Sequence, residues 1–258
     1  MSLRERIGRG LRDPESKRRY VRDLFGRIAE RYDFTNDVMS LGLHRRWKRG
    51  VLELAELGPG QRVLDLAAGT GDLALRAAFE MGIRRGTDAG GERGRIVAAD
   101  LTPEMMRVGK RRAAGERPPE APPIRWVACD ALATPFPEAA FDRILIGYGL
   151  RNFPDLDASL REILRVLRPG GRLVALDFGK PRHALFRAAY LRYLDVSTRV
   201  VGWLLHRDRE AYAYIPESLR RYPGQREVMD RMDRLGYVRL GFMDVFGGTM
   251  GINWGERP

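Results

Sequence analysis

The chain has 258 residues, 44% hydrophobic and 31% charged, a composition for one large globular domain with a full core. No run approaches the roughly 18 apolar residues of a bilayer span, MSLRERIGRG lacks a signal peptide's apolar region, and a lone Cys129 excludes an intramolecular disulfide, so a cytoplasmic protein is expected. The net charge of +12 is nearly all arginine, because lysine occurs only at Lys17, Lys48, Lys110 and Lys180; it favours anionic neighbours, nucleic acid or an anionic membrane surface.

Residues 1–58 read as an N-terminal helical arm, with 17–55 mostly helical and turns near Asp33 to Asn36 and Ser40 to Gly42. The core, 59–180, opens on a strand at Arg62 to Leu66 and a helix from Asp72 to about Met81, then a glycine-rich loop, Gly82 to Gly94. A second strand, Arg95 to Ala99, ends at Asp100; Thr102 is the expected N-cap and Pro103 the first residue of a helix to about Ala114. Further strands are Ile124 to Ala128, Phe141 to Gly147 and Arg172 to Asp177, with a helix at Asp157 to Leu167 closed by Pro169-Gly170-Gly171. Alternating strands and helices predict an α/β fold with a doubly wound, mostly parallel sheet. The last part, 181–258, holds a long amphipathic helix, Ala184 to His206, expected to be interrupted, and a closing strand pair, Arg239 to Trp254.

In VLDLAAGTGDLAL the segment Gly69-Thr70-Gly71-Asp72-Leu73-Ala74 fits the glycine pattern of dinucleotide-binding folds. Yet Asp65, on the strand before it, would repel a pyrophosphate. A carboxylate there suits a ligand with an ammonium group, such as S-adenosylmethionine. Asp100, ending the next strand, is placed for two ribose hydroxyls, and Asp130, after the third, for an adenine amine. Each has a plainer alternative: Asp65 as a helix cap or salt-bridged group, Asp100 as a turn residue, Asp130 as a loop residue. Their joint place at one sheet edge favours the ligand. Cys129 reads as a small packed residue, His183 and His206 as surface residues, and no ligand-spaced His/Cys cluster suggests a metal.

After the fourth strand, Gly147-Tyr148-Gly149-Leu150-Arg151-Asn152 offers an aromatic, a guanidinium and an amide, with no prolyl carbonyl clamp for an amine. Arg151 suits a substrate that becomes a phenolate; its alternative is an ion pair with Asp155 or Asp157.

Together YDFTNDVMSLGLHRRWK, VLDLAAGTGDLAL, YGLRNFPD, EILRVLRPGGRLVALDFGKP and YIPESLRRYPGQ resemble the ubiquinone/menaquinone biosynthesis C-methyltransferases, from about Tyr20 to Trp254. The resemblance implies a class I S-adenosylmethionine-dependent methyltransferase fold and C-methylation of a polyprenylated hydroquinone. It carries cofactor contacts to Thr70, Asp100, Asp130 and Ala131, beside Asp65, Gly69 and Gly71. Gly147 replaces a serine of ubiquinone-type members, which points to demethylmenaquinol. It also folds the arm over the cofactor and substrate, with Trp47, Tyr148 and Asn152 as substrate contacts. The catalytic base is left among His44, Asp33 and a water oriented by Arg151; His44 has a structural hydrogen bond within the arm as its alternative. Nucleic acid is not an expected partner, since the arginines are spread along the chain, against the clustered patch of an RNA methyltransferase. The Ala184 to His206 helix predicts transient contact with the inner face of the plasma membrane, or packing on the sheet or on a second subunit of a homodimer.

Overall fold

A computed structural model describes residues 3–40, 42–87, 94–206 and 209–258. Its centre is a seven-stranded sheet of order β3-β2-β1-β4-β5-β7-β6. The strands are β1 (Arg62–Leu66), β2 (Arg95–Asp100), β3 (Ile124–Ala128), β4 (Phe141–Gly147), β5 (Leu167–Phe178), β6 (Val238–Val245) and β7 (Met250–Glu256). The first five are parallel, while β7 runs antiparallel between β5 and β6. Strand order reverses between β1 and β4, and ligands of such sheets bind at the carboxyl ends of the strands beside that reversal.

Alternation along each strand feeds two cores. Leu64, Leu66, Ile144, Ile146 and Leu173 face one side, with Leu160 and Ile163 of α7 (Leu156–Val166) and Val228 and Met232 of α10 (Gln225–Arg234). Val63, Ile96, Leu145 and Val174 face the other, with α5 (Asp72–Thr87) and α4 (His44–Ala55). The arm is α1 (Leu3–Gly10), α2 (Pro14–Ile28), α3 (Tyr32–Ser40) and α4. Val51, Leu52 and Ala55 are buried and fasten it to the sheet, at about 1.5–3 kcal/mol for each of the two larger side chains. Further on, α2 packs against α6 (Pro103–Glu116) and α9 (Arg209–Arg221), and α9 against α8 (Ala184–His206).

Several local expectations are corrected. Asp33 to Asn36 is helical, inside α3; the helical run is interrupted earlier, by a 3-10 turn over Ala29–Arg31. Helix α5 runs on to Thr87, taking in the start of the expected loop, while 88–93 lie outside the described residues. Strand β5 begins at Leu167, because Gly170 N donates to Arg257 O and Arg257 N to Gly171 O, which pairs the Pro-Gly-Gly segment with the chain beyond β7. Thr102 sits at the N-cap of α6 without a capping bond, and its own amide donates to Asp100 Oδ1 at 2.7 Å. Helix α8 is unbroken. Helices α9 and α10 were not anticipated: Pro216 inside α9 reads as a breaker, and α10 is short and polar.

Candidate active site

Two cavities lie at the carboxyl end of the sheet and share Phe25, Tyr32 and Tyr148 as walls. The smaller, about 90 Å³, is lined by Gly69, Asp100, Asp130, Ala131, Gly147 and Asn152, among others. The larger, about 510 Å³, is apolar and lies under the arm and α8.

The glycine turn builds the first cavity. Gly69 and Gly71 take φ of 55° and 74°, and a side chain on Gly71 would collide with Trp126. Gly69 N donates to Asp100 Oδ2 at 2.8 Å. Asp100 accepts the Thr102 amide on its other oxygen at 2.7 Å, and the Thr102 hydroxyl and Leu101 amide also favour its charged form, so ribose hydroxyls would replace part of that shell. Asp130 is also held on both oxygens: Oδ1 accepts from Leu132 N at 3.0 Å, and Oδ2 pairs with Arg18 at 2.8 Å. Burial, with Asp100 and Asp130 nearby, pushes the Cys129 thiol up to about 12, in keeping with a packing role.

Three expected site residues are turned to other partners. Asp65 is buried, is absent from the lining of either cavity, and accepts from Ala74 N in the first turn of α5 at 2.9 Å. One orphan amide of that turn takes Oδ2, and the carboxylate reaches the wall of neither cavity. Thr70 donates its hydroxyl to Asp33 Oδ1 at 2.7 Å, and Asp33 Oδ2 accepts from Arg112 at 2.8 Å. Thr70 and Asp33 therefore tie the arm to the glycine turn, and Asp33 lines neither cavity, which removes it as a base.

Burial pushes the Asp65 carboxyl up to about 7, above the ordinary 3.8. Between about pH 4 and pH 7 the folded chain holds a proton that the unfolded chain has lost, so stability falls as pH rises through that window. Asp65→Asn keeps an acceptor for Ala74. It is expected to leave Tm unchanged near about pH 4 and raise it by several degrees above about pH 8. Parallel Tm–pH curves for the two proteins would show that Asp65 stays charged in the fold.

Tyr148 has φ of 63°, a strained value for a bulky residue. Its amide donates to Leu176 O at 2.7 Å, and its carbonyl accepts from Arg151 Nη1 at 2.7 Å and Asn152 Nδ2 at 3.0 Å. Arg151 is buried, and its ion pair is made with Asp177 of β5 at 2.7 Å, not with Asp155 or Asp157. Asp177 also accepts the amides of Arg151 and Phe178. The arginine therefore brings a compensated charge. What it offers the larger cavity is Nε, a buried donor without a partner in the chain. Asn152 lines the smaller cavity instead, and its Oδ1 accepts from Tyr214 at 3.0 Å.

The arm supplies the opposite wall: Tyr32, Asn36, His44 and Trp47 all line the larger cavity. Burial raises the phenol pKa of both Tyr32 and Tyr148, so each hydroxyl keeps its proton. Lys48, buried and paired with Asp72 at 2.8 Å, lies 5.7 Å from the Tyr148 ring centre. The sequence gives no reading of Asp177, Tyr214 or Lys48 as site residues, whereas Tyr32 belongs to the polar and aromatic cluster of the arm. Asp177 carried a signal, a carboxylate inside the apolar run LVALDF, where burial demands a partner.

The model of the ubiE/COQ5 methyltransferase family matches residues 13–257. The chain is 39% identical over 246 residues to the ubiquinone/menaquinone biosynthesis C-methyltransferase UbiE of Azotobacter vinelandii, covering 95% of this chain and 93% of that one. To the UbiE of Shewanella frigidimarina it is 37% identical over 245 residues, with 95% and 93% covered. Among solved structures, the Haemonchus contortus phosphoethanolamine N-methyltransferase 2 in complex with S-adenosyl-L-methionine superposes with a TM-score of 0.57 at 15% identity, over 83% of this chain and 52% of that one. A SAM-dependent methyltransferase from Aquifex aeolicus gives 0.55 at 16% identity, over 82% and 89%. These last two show the fold alone.

Proposed function

The chain belongs to the ubiE/COQ5 methyltransferase family, and from that premise we propose that it methylates a ring carbon of demethylmenaquinol. Membership makes it an S-adenosylmethionine-dependent C-methyltransferase of quinone biosynthesis with the class I fold. The observation that supports an apolar ring as the methyl acceptor is the pair of adjoining cavities. A small one edged by carboxylates sits beside a large apolar one, with Tyr32 and Tyr148 between them.

S-adenosylmethionine supplies a methyl group on a sulfonium, whose sulfur keeps the bonding pair when the methyl leaves. The smaller cavity is placed for its adenosine end and, at about 90 Å³, would widen to take it as Arg18 moves aside: Asp100 would hold the ribose hydroxyls, and Asp130 and Ala131 would flank the adenine. For Asp130 this means giving up Arg18, a half-exposed pair of the kind worth about 0–1 kcal/mol. Gly69 and Gly71 let the backbone come close, and Asp65 and Thr70 hold the turn from behind.

The larger cavity takes an apolar ring and the first part of a prenyl chain. In it, Arg151 Nε would donate to the ring oxygen as that oxygen gains negative charge, and Trp47 and Tyr148 would pack against the ring. Gly147 supports the menaquinone side of the pathway, because ubiquinone-type members carry serine there. The relatives' shared name covers both quinones, so the ubiquinone-pathway benzoquinol is the second reading.

The rest of the prenyl chain has to leave through the mouth of the cavity. Leu43, Phe186, Tyr193 and Phe246 line the cavity and are also exposed, and Leu185 and Val196 stand out on α8 with Arg187 and Arg192. Leu194 and Thr198 on the same helix are buried, and α8 packs on α9 and α3. The side chains of Val201, Trp203, Leu204 and Leu205, part of the expected interfacial stretch, lie outside the described residues. No helix among the described residues is long and apolar enough to cross a membrane. We infer that this rim meets an anionic bilayer transiently, each arginine near the surface contributing about 1 kcal/mol.

One assay tests both parts. Purified enzyme is given demethylmenaquinol or the ubiquinone-pathway benzoquinol, in anionic or neutral vesicles. Demethylmenaquinol in anionic vesicles is expected to react at least tenfold faster than either alternative. Faster benzoquinol turnover overturns the substrate, and equal rates in the two lipids overturn the membrane contact.

A further inference from the structure

Four buried side-chain polar atoms among the described residues have no partner, and three of them belong to residues of the larger cavity: Asn36 Nδ2, His44 Nδ1 and Arg151 Nε. We propose that His44 is the general base, taking the proton of a substrate hydroxyl on Nδ1, and that Asp37 is its positioning residue. This rests on the hydroquinone reading above and names the group that activates the ring.

His44 Nε2 lies 3.1 Å from Asp37 Oδ1. A carboxylate only accepts, so this contact favours the tautomer with its hydrogen on Nε2, which leaves Nδ1 of the neutral ring as the acceptor. That acceptor is buried, without a partner, on a residue lining an apolar cavity. Leaving it unmatched is costly unless a donor arrives, and a hydroquinone hydroxyl is such a donor.

The support behind it is firm. Arg45 grips both oxygens of Asp37, Nε at 3.1 Å and Nη2 at 2.9 Å. Ser40 Oγ donates to Asn36 O at 2.6 Å and accepts from His44 N at 3.4 Å, which joins α3 to α4 across the turn. Around the imidazole stand Asp37 from α3, Lys48 and Arg45 from α4, and Asp72 and Arg76 from α5. Burial first, and Lys48 second, lower its pKa below 6.5. The ring is therefore an unprotonated base at neutral pH.

Nδ1 takes the hydroxyl proton, and the O–H electron pair stays on oxygen and spreads into the ring. The ortho carbon forms the new bond to the methyl and then loses its own proton to water, restoring the aromatic ring. The proton on His44 returns to the ring oxygen, so one proton is released per methyl. Asn36 Nδ2, on the same wall, donates to the oxygen while it is charged.

Two variants and one spectrum test this. With short-chain demethylmenaquinol, His44→Gln is expected to lower kcat about 100-fold or more, with S-adenosylhomocysteine affinity within twofold by calorimetry. Its residual rate should keep climbing toward about pH 10, where a free phenol ionises. Asp37→Asn removes a negative charge that favours the imidazolium. It should lower kcat about tenfold with KM unchanged and move the acid limb of the profile to lower pH. In the wild type without cofactor, ¹⁵N NMR of three histidines should show His44 as the Nε2–H tautomer, with the Nδ1 signal moving when the quinol is added. A His44→Gln enzyme within threefold of wild-type kcat and with the wild-type pH profile overturns the proposal. So does an Nδ1–H tautomer or an unmoved Nδ1 signal, which needs no variant to fold. A wild type that methylates neither hydroquinone overturns the substrate reading instead.

Discussion

Arg151→Met is expected to lose both stability and turnover, and a second substitution separates the two. Arg151 and Asp177 are a buried pair, 2.7 Å apart. Removing one partner strands the other charge, a loss of about 3–5 kcal/mol. For a chain of this size that is on the order of 10 °C in Tm. Asp177→Asn added to Arg151→Met removes the stranded charge and keeps one acceptor for the two backbone amides, so the double variant should regain most of the lost Tm. It should not regain turnover, because the guanidinium donor to the ring oxygen is gone and the neutral Asn36 amide alone remains; a drop of about 100-fold or more is expected. S-adenosylhomocysteine affinity should stay near wild type, since Arg151 does not line the smaller cavity. Single-turnover rates beside thermal melts decide the matter. A refolded double variant that methylates at the wild-type rate would make the arginine structural.

Asp100→Ala is expected to weaken S-adenosylhomocysteine binding by about 1,000-fold. Two contacts to a charged acceptor would be lost, each worth about 1.5–3 kcal/mol. The amides of Gly69 and Thr102, held at 2.8 and 2.7 Å, would also lose their acceptor, so the glycine turn would loosen in the free protein. Asp100→Asn, keeping one carbonyl oxygen, should fall between the two. Calorimetry with the product reads all three proteins. An affinity within threefold of wild type would sink the ribose assignment.

What could be read from the sequence followed local pattern. Strands β1 and β4 lie where apolar runs lead into glycine, because a strand buried on both faces writes itself as such a run. Asp100 and Asp130 are legible from their position at strand ends, Ala131 only from the family resemblance, and all three line one cavity. Local spacing says nothing about which distant side chain will claim a polar group. Thr70 and Asp33 are 37 residues apart, and Arg151 and Asp177 are 26 apart. Each pairing depends on how the arm lands on the sheet, or on the register of β4 against β5. Asp65 shows the same limit: its Oδ2 accepts from Ala74 in the first turn of α5, a partner that the strand pattern alone does not reveal.

The placement of β7 between β5 and β6 bears on how the chain is made. Strands β1 to β5 leave the ribosome first, yet the outer edge of β5 has no partner until β7 emerges. The intervening stretch, roughly eighty residues, takes about 4–16 s at ordinary synthesis rates. During that time Leu173 to Leu176, an apolar strand buried on both faces in the finished sheet, presents open backbone groups to any neighbouring nascent chain. Helices α8 to α10 are made within the same interval, and α10, which packs on β6 and β7, cannot settle before them. The newborn enzyme is thus most prone to aggregate after its cofactor half has formed, and a chaperone that shields β5 should raise its yield more than one that acts on the arm.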